Sequence, residues 1–223
     1  MKPSWSLLSI LLLMAAVAAW TTYLRMHFET PKLMTKAKLM AEFSGELFVK
    51  DDSQLASIKL PQDWDDDHRW DVMLPAGDYA LRLATRFIAP DRMDGYPKDY
   101  EEYLLPRQSA GRHRLELIRK EDYSDNSGYV IIQLDGDEII RIDEKDWRPI
   151  NQDEPKTHAE SGTSIVKPVT YQQPANKPLT LYRTLFSVPS KTPGSWVTPD
   201  VPSSGILFWI EQVDGNMPDK SGE

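Results

Sequence analysis

The chain has 223 residues, 40% of them hydrophobic and 27% charged, proportions that suit a folded core and argue against gross disorder. All 34 acidic residues lie after residue 28, so the part beyond Leu24 sets 25 basic residues (all 26 but Lys2) against 34 acidic ones, a net of −9, with no Arg/Lys stripe among aromatics; nucleic acid is not an expected partner. The absence of cysteine excludes disulfides, Cys-ligated zinc, Fe–S clusters, thiol catalysis and attachment through an N-terminal lipidated Cys.

Residues 1–24 read as a transmembrane anchor. No charge falls between Pro3 and Leu24, and the centre is Leu7-Leu8-Ser9-Ile10-Leu11-Leu12-Leu13-Met14. As a helix this run spans about 33 Å, against a hydrocarbon core of about 30 Å. Trp5 stands near one end, and Trp20 and Tyr23 near the other, as interfacial aromatics do. The lipid bilayer is thus the expected partner of residues 3–24. A cleaved signal peptide is the rival reading, with Ala16-Val17-Ala18 as its small-residue site. The anchor is preferred because the apolar run continues past that site into an aromatic belt. Orientation pulls two ways. Arg25, Lys32, Lys36 and Lys38 outnumber Lys2 and the α-amine, which favours a cytoplasmic C-terminal domain. A first apolar segment behind a short basic tail has the shape of an export signal, and on that shape the domain is expected on the extracytoplasmic side, facing the periplasm.

Residues 25–44 are predicted as a separate juxtamembrane helical stalk. Thr30-Pro31 reads as an N-cap with proline in the first helical position, Leu33, Ala37 and Met40 fall on one face, and Ser44-Gly45 stops the run.

From residue 45 to 213 the period changes to two, which predicts a mainly β domain, an antiparallel β-sandwich of jelly-roll or Ig-like type. Trp70, Val72 and Leu74 form one face of a strand; Tyr79, Leu81 and Leu83 another; His113, Leu115 and Leu117 a third. Glu46–Lys50 and Ala56–Leu60 are predicted as shorter strands. Pro75–Leu83 and Ser109–Leu117 form a 34-residue internal echo, a glycine turn feeding a strand, as two equivalent turns of one sandwich would. Asp135-Gly136 marks a two-residue hairpin between Tyr129–Leu134 and Asp137–Ile142, in a register that pairs Ile131 with Ile140 and Ile132 with Ile139. Both faces of that ribbon are then apolar. The main sheet should cover one and the C-terminal part the other. Trp70, Leu81, Leu83, Leu115, Ile131 and Ile140 are the expected core.

Residues 149–178 are Pro-rich and read as a long mobile loop; nine of the 17 prolines lie between Pro149 and Pro202. Leu179–Val188 and Gly205–Val213 return to strand composition, and Gly205–Glu211, apolar on both faces, is expected at the centre of the core. Residues 214–223 read as a flexible tail.

Ser6–Met14, Asp52–Ile58, Trp70–Leu81 and the closing Gly205–Glu211 resemble a group of uncharacterised single-span membrane proteins of planctomycete bacteria. The resemblance implies an anchor and a β-rich exported domain. It implies no activity and no functional residues.

Few residues offer chemistry. Asp63, Asp65 and Asp67, alternating beside Asp66 and His68, are the candidate Ca²⁺ ligands, although an EF-hand starting at Asp63 would need Gly at His68 and Glu at Leu74. A solvated loop explains the same residues. Asp122–Gly128 has similar composition and reads as a strand connection. Trp64, Trp147 and Trp196, in loops beside Asp or Pro, are the candidate sugar-binding aromatics, and packing at the ends of a sandwich is the alternative. The four histidines show no metal spacing, and no nucleophile, P-loop or Rossmann motif is present. No cofactor and no enzymatic activity are expected. The sequence points to a non-enzymatic, membrane-tethered interaction or structural module of the bacterial cell envelope, with an envelope protein or polysaccharide as partner. A carbohydrate-binding sandwich, with or without Ca²⁺, is the alternative, and a hydrolase whose paired carboxylates only the fold would bring together is a third reading.

Overall fold

A computed structural model describes residues 7–61, 67–90, 95–105, 110–122, 125–147, 160–163, 169–190, 192 and 195–213, the side chains of 7–9, 42, 160–163 and 189 excepted. The chain divides into two compact units, Met1–Ser44 and Gly45–Glu223.

The first unit is one helix, α1 (Leu7–Ser44), and its Ile10–Ala41 stretch is long and apolar enough to cross a membrane. The anchor and stalk expected as separate helices are therefore continuous, and Thr30 is not an N-cap. Pro31 lies inside the helix, where it removes one main-chain donor. On either side of it, Thr30 Oγ1 donates to the Met26 carbonyl at 2.6 Å, and Thr35 Oγ1 donates to the Pro31 carbonyl at 2.9 Å. Arg25 and Glu29, one turn apart, pair at 3.0 Å across the expected break. The helix does end where the sequence places its stop. Gly45 takes φ +69°, the left-handed conformation in which a glycine closes a helix without a Cβ clash.

The second unit contains two antiparallel sheets and a small ribbon. The first sheet has the order β7 (Asp137–Glu144), β6 (Ser127–Leu134), β5 (Gly111–Asp122), β2 (Asp67–Leu74), β1 (Gln54–Lys59), β9 (Tyr171–Pro174). The second has the order β4 (Glu101–Leu104), β3 (Tyr79–Ala84), β13 (Gly205–Gln212), β10 (Leu179–Phe186), β8 (Glu160–Thr163). β11 (Val188–Pro189) and β12 (Trp196–Val197) form the ribbon.

One core cluster draws on both sheets. The first gives Leu55, Trp70, Val72, Leu74, Leu115, Leu117, Val130, Ile132 and Ile140, and the second Tyr79, Leu81, Leu83, Leu179, Leu181, Phe186, Ile206, Phe208 and Ile210. All six expected core residues are buried. The alternating residues of β13 feed a second cluster on the other face of their sheet, where Leu207 and Trp209 meet Ala84, Ile88, Leu185 and Tyr100. That is why Gly205–Glu211 is apolar on both faces: β13 is central, and the segment after β3 covers its outer side.

A bulge revises the register expected for the hairpin, and a second bulge lies in β10. The Asp135-Gly136 turn forms with positive φ at both residues, as a two-residue hairpin of this type needs. Leu134 then faces Asp137 and Gln133 faces Glu138, but Ile132 faces Ile140 and Ile131 faces Arg141. Ile139 is the extra residue, so Ile139 and Ile140 both pack on the core. The ribbon therefore has one main apolar face. The C-terminal strands do not cover a second face; they build the opposing sheet. β10 repeats the device at Leu181, placing Leu181 and Tyr182 together in the core.

Two further expectations are corrected. Glu46–Lys50 is not a strand, although its main chain is held by Phe48 N–H donating to Thr170 Oγ1 (3.0 Å) and Lys50 N–H donating to Gln172 Oε1 (3.2 Å). The proline-rich stretch contributes β8 and β9, the edge strands of the two sheets, where short segments with few apolar residues suffice because only one side must be paired. The 34-residue echo places its two strands, β3 and β5, in different sheets.

Candidate functional site

The richest polar constellation lies on the outer face of the first sheet. Pairing of β2 with β5 sets Arg69 opposite Glu116, Asp71 opposite Arg114 and Met73 opposite Arg112. Alternation points Trp70, Val72, Leu115 and Leu117 inward, so this charged row must face out. Arg69 Nε donates to Glu116 Oε1 at 2.8 Å. Asp71, although outward, is buried, and it accepts from Arg112 Nη2 at 2.6 Å and from Arg114 Nε at 3.1 Å. A carboxylate taken out of water is costly unless charge-assisted hydrogen bonds replace its hydration, and two guanidiniums do so here.

Asp135, in the β6–β7 turn, closes the row. Its Oδ2 lies 2.7 Å from His113 Nδ1, and its Oδ1 accepts from the Arg114 main-chain N–H at 2.7 Å. Desolvation pulls its carboxyl upward, but the Arg114 N–H and the His113 imidazole outweigh that and hold it below the usual range. Asp71, Arg112, His113, Arg114, Glu116, Asp135 and Gly136 surround a shallow depression of about 520 Å³.

A second cleft, of about 250 Å³, opens where the end of β3 meets β4 and β7. Glu144 is buried there. It accepts from Thr85 Oγ1 at 2.5 Å, and both its oxygens take the guanidinium of Arg86, a pairing that pushes the guanidinium pKa further up. The next residue, Phe87, is exposed with φ +56°.

No protein-family model, curated protein or solved structure matches this chain.

The structure separates the residues singled out in the sequence. Asp63, Trp64 and Asp65 lie outside the described residues. Asp67 opens β2 opposite Ile118, a strand position rather than a loop one. Among the described residues no group of three or more His, Asp or Glu could hold a metal ion. Trp147 is not a surface platform: it is buried in the core cluster, edge-on to Phe186 with centroids 5.1 Å apart. Trp196 is half-buried in β12. Trp147 thus packs in the core, as a large ring near an apolar core is drawn into it, and Trp196 lies apart from it in the β11–β12 ribbon.

Asp71, Arg112, Arg114 and Glu144 escaped the sequence reading. The alternation Arg69-x-Asp71 and Arg112-x-Arg114-x-Glu116 was legible, but only the register of β2 against β5 brings the two rows together. Glu144 and Arg86 are 58 residues apart and meet only in the fold.

Proposed function

We propose that this protein is a non-enzymatic, membrane-tethered interaction module of the cell envelope, with a sandwich-like β domain on the extracytoplasmic side of a single anchor. One observation carries the reading: the described arginines beyond the helix are committed to the scaffold. Arg69, Arg82, Arg86, Arg112, Arg114, Arg119 and Arg141 each hold a carboxylate, and Arg183 holds the Ala89 carbonyl. The carboxylates with displaced pKa, Asp51, Asp135 and Asp143, all move down, the direction of fixed anions rather than of a general acid. Such a surface presents fixed charges for recognition, and the apolar helix supplies the tether.

Protease added to intact spheroplasts should remove the domain while α1 stays in the membrane after alkaline extraction. In a strain lacking the protein, full-length chains carrying His113→Gln or Glu144→Gln should restore the envelope phenotype if they still fold, and a secreted domain without α1 should not. Protection of the domain overturns the orientation. A folded His113→Gln or Glu144→Gln chain that is inert beside an active untethered domain overturns the tethered, non-enzymatic reading.

A further inference from the structure

We propose that the chain forms a parallel homodimer through α1, the helix of each copy packing against the other along one continuous line. This rests on the tethered-module reading and deepens it by naming a partner, a second copy of this chain. Leu12, Ala19, Met26, Leu33 and Met40 recur every seven residues. Ala16, Tyr23, Thr30, Ala37 and Ser44 recur between them, each four residues after one and three before the next. Because α1 is unbroken, the two rows join into one seam with a period of 3.5, the repeat along which two helices supercoil with a left-handed twist. The large side chains of the seam stand exposed, from Tyr23 at 60% to Met40 at 72%. Pro31 and the charged Arg25, Glu29, Lys32, Lys36 and Lys38 all fall off it. Its two aliphatic hydroxyls are satisfied within the helix, Thr30 Oγ1 donating to the Met26 carbonyl at 2.6 Å and Ser44 Oγ to the Ala41 carbonyl at 3.2 Å. Both can be taken out of water without losing a hydrogen bond.

Lipid does not cover the whole seam. The 38 residues of α1 extend about 57 Å, against about 40–45 Å for a bilayer with its headgroups. Beyond Leu24 five charged residues share the helix with Met26, Leu33 and Met40, so hydrocarbon cannot wrap this half. A second copy fits by symmetry. Two copies of a single-span chain inserted in one orientation run parallel and hold each residue at the same depth, so the seam meets itself in register about a twofold axis. Ala16 and Ala19 let the main chains approach closely, which is how helices associate in lipid, and Met26, Leu33 and Met40 bury apolar surface in the aqueous half. The contact from Leu12 to Ser44 is about 50 Å long and about 10 Å wide, which gives about 1,000 Å² over both helices, the lower bound for a specific interface. Confinement to one membrane raises the effective concentration of the copies, so an interface of this size suffices.

The chain has no native cysteine, so each single-cysteine variant reads one position. Full-length chains carrying Leu33→Cys or Ala37→Cys on the seam, and Phe28→Cys or Thr35→Cys on the opposite side of the helix, are reconstituted in phosphatidylcholine vesicles at rising lipid-to-protein ratios and oxidised. The seam variants should form disulfide dimers in a yield that resists dilution, because a disulfide needs Cα atoms about 4.4–6.8 Å apart, and the other two should fall off as lipid is added. Leu33→Lys placed beside Ala37→Cys should lower the yield at least about tenfold by setting two like charges in the seam, and Thr35→Lys should leave it unchanged. Equal cross-linking on all faces, falling with dilution, would mean that the seam has no helical partner, and overturns the dimer. A cross-link to a different protein in native membranes, with no homodimer in vesicles, assigns the seam to that protein and overturns it too. Both outcomes leave the tether and its orientation standing. A domain protected from external protease overturns the orientation alone, since the dimer reads the same from either side of the membrane.

Discussion

The indole of Trp147 fills the space that Gly128 leaves open in β6. A Cβ at Gly128 would stand 3.0 Å from Trp147 Cε3 and 2.8 Å from the Lys120 carbonyl of the adjacent strand. Backbone on one side and a buried ring on the other leave nothing that can yield cheaply. Gly128→Ala should therefore cost about 1–3 kcal/mol by overpacking. Trp147→Ala should cost about 3–5 kcal/mol by leaving a cavity against Phe186. Denaturant unfolding of the full chain in detergent micelles measures both, and an unchanged midpoint in Gly128→Ala would sink the packing account.

The core joins N-terminal and C-terminal strands, so neither half should fold without the other. β13 sits between β3 and β10, with Ile210 facing Leu81 and Phe208 facing Leu83. A chain stopped after Trp147 loses all strands but β3 and β4 from the second sheet and exposes the inner face of the first. It should aggregate or show no cooperative transition. Leu81→Ala in the intact chain should cost about 2–5 kcal/mol. A shortened chain that melts as sharply as the whole would show the C-terminal strands to be dispensable.

Phe87 is held in a conformation that side chains with a Cβ avoid. Its φ is +56°, it is 62% exposed, and Glu144 clamps the two residues before it. Left-handed backbone costs a residue with a Cβ about 1–2 kcal/mol, which glycine does not incur. Phe87→Gly should thus be more stable than Phe87→Ala by about 1 kcal/mol. Thermal melts of the pair decide the matter, and Phe87→Ala matching or exceeding Phe87→Gly would show that the strain is absent.

Asp135 gives the acid limb of stability a marker. Its folded carboxyl lies below the ordinary Asp value of 3.8, so ionisation favours the folded state. That contribution is complete above 3.8 and is lost as pH falls through the lower, folded value. Asp135→Asn should be less stable than the native chain at neutral pH, and the gap should close as pH falls through the lowered, folded value. Stability curves against pH check this. A gap that persists in acid would mean that the amide disrupts the turn for reasons other than charge.

Elements that depend on local chemistry were legible along the chain. The apolar run from Pro3 to Leu24 required a helix of bilayer length, and Gly45 required its end. Period-two alternation gave the core faces of β2, β3 and β5, because a strand turns successive side chains to opposite sides whatever its neighbours are. Asp135-Gly136 gave a turn, because those residues accept positive φ. What depends on pairing between distant segments emerged in the folded molecule alone. Pro31 sits within a helix because the helical turns on both sides of it outweigh one lost donor, whereas the Thr-Pro dipeptide alone reads as a helix start. The extra residues at Ile139 and Leu181 are visible only against a partner strand, since a bulge is a mismatch between two strands and not a property of one. β8 and β9 emerged from a proline-rich stretch because an edge needs main-chain partners more than apolar side chains. Asp71 acquired its two guanidiniums for the same reason: register across β2 and β5, set by the inward packing of Trp70 and Leu115, carries the opposite faces of both strands into contact.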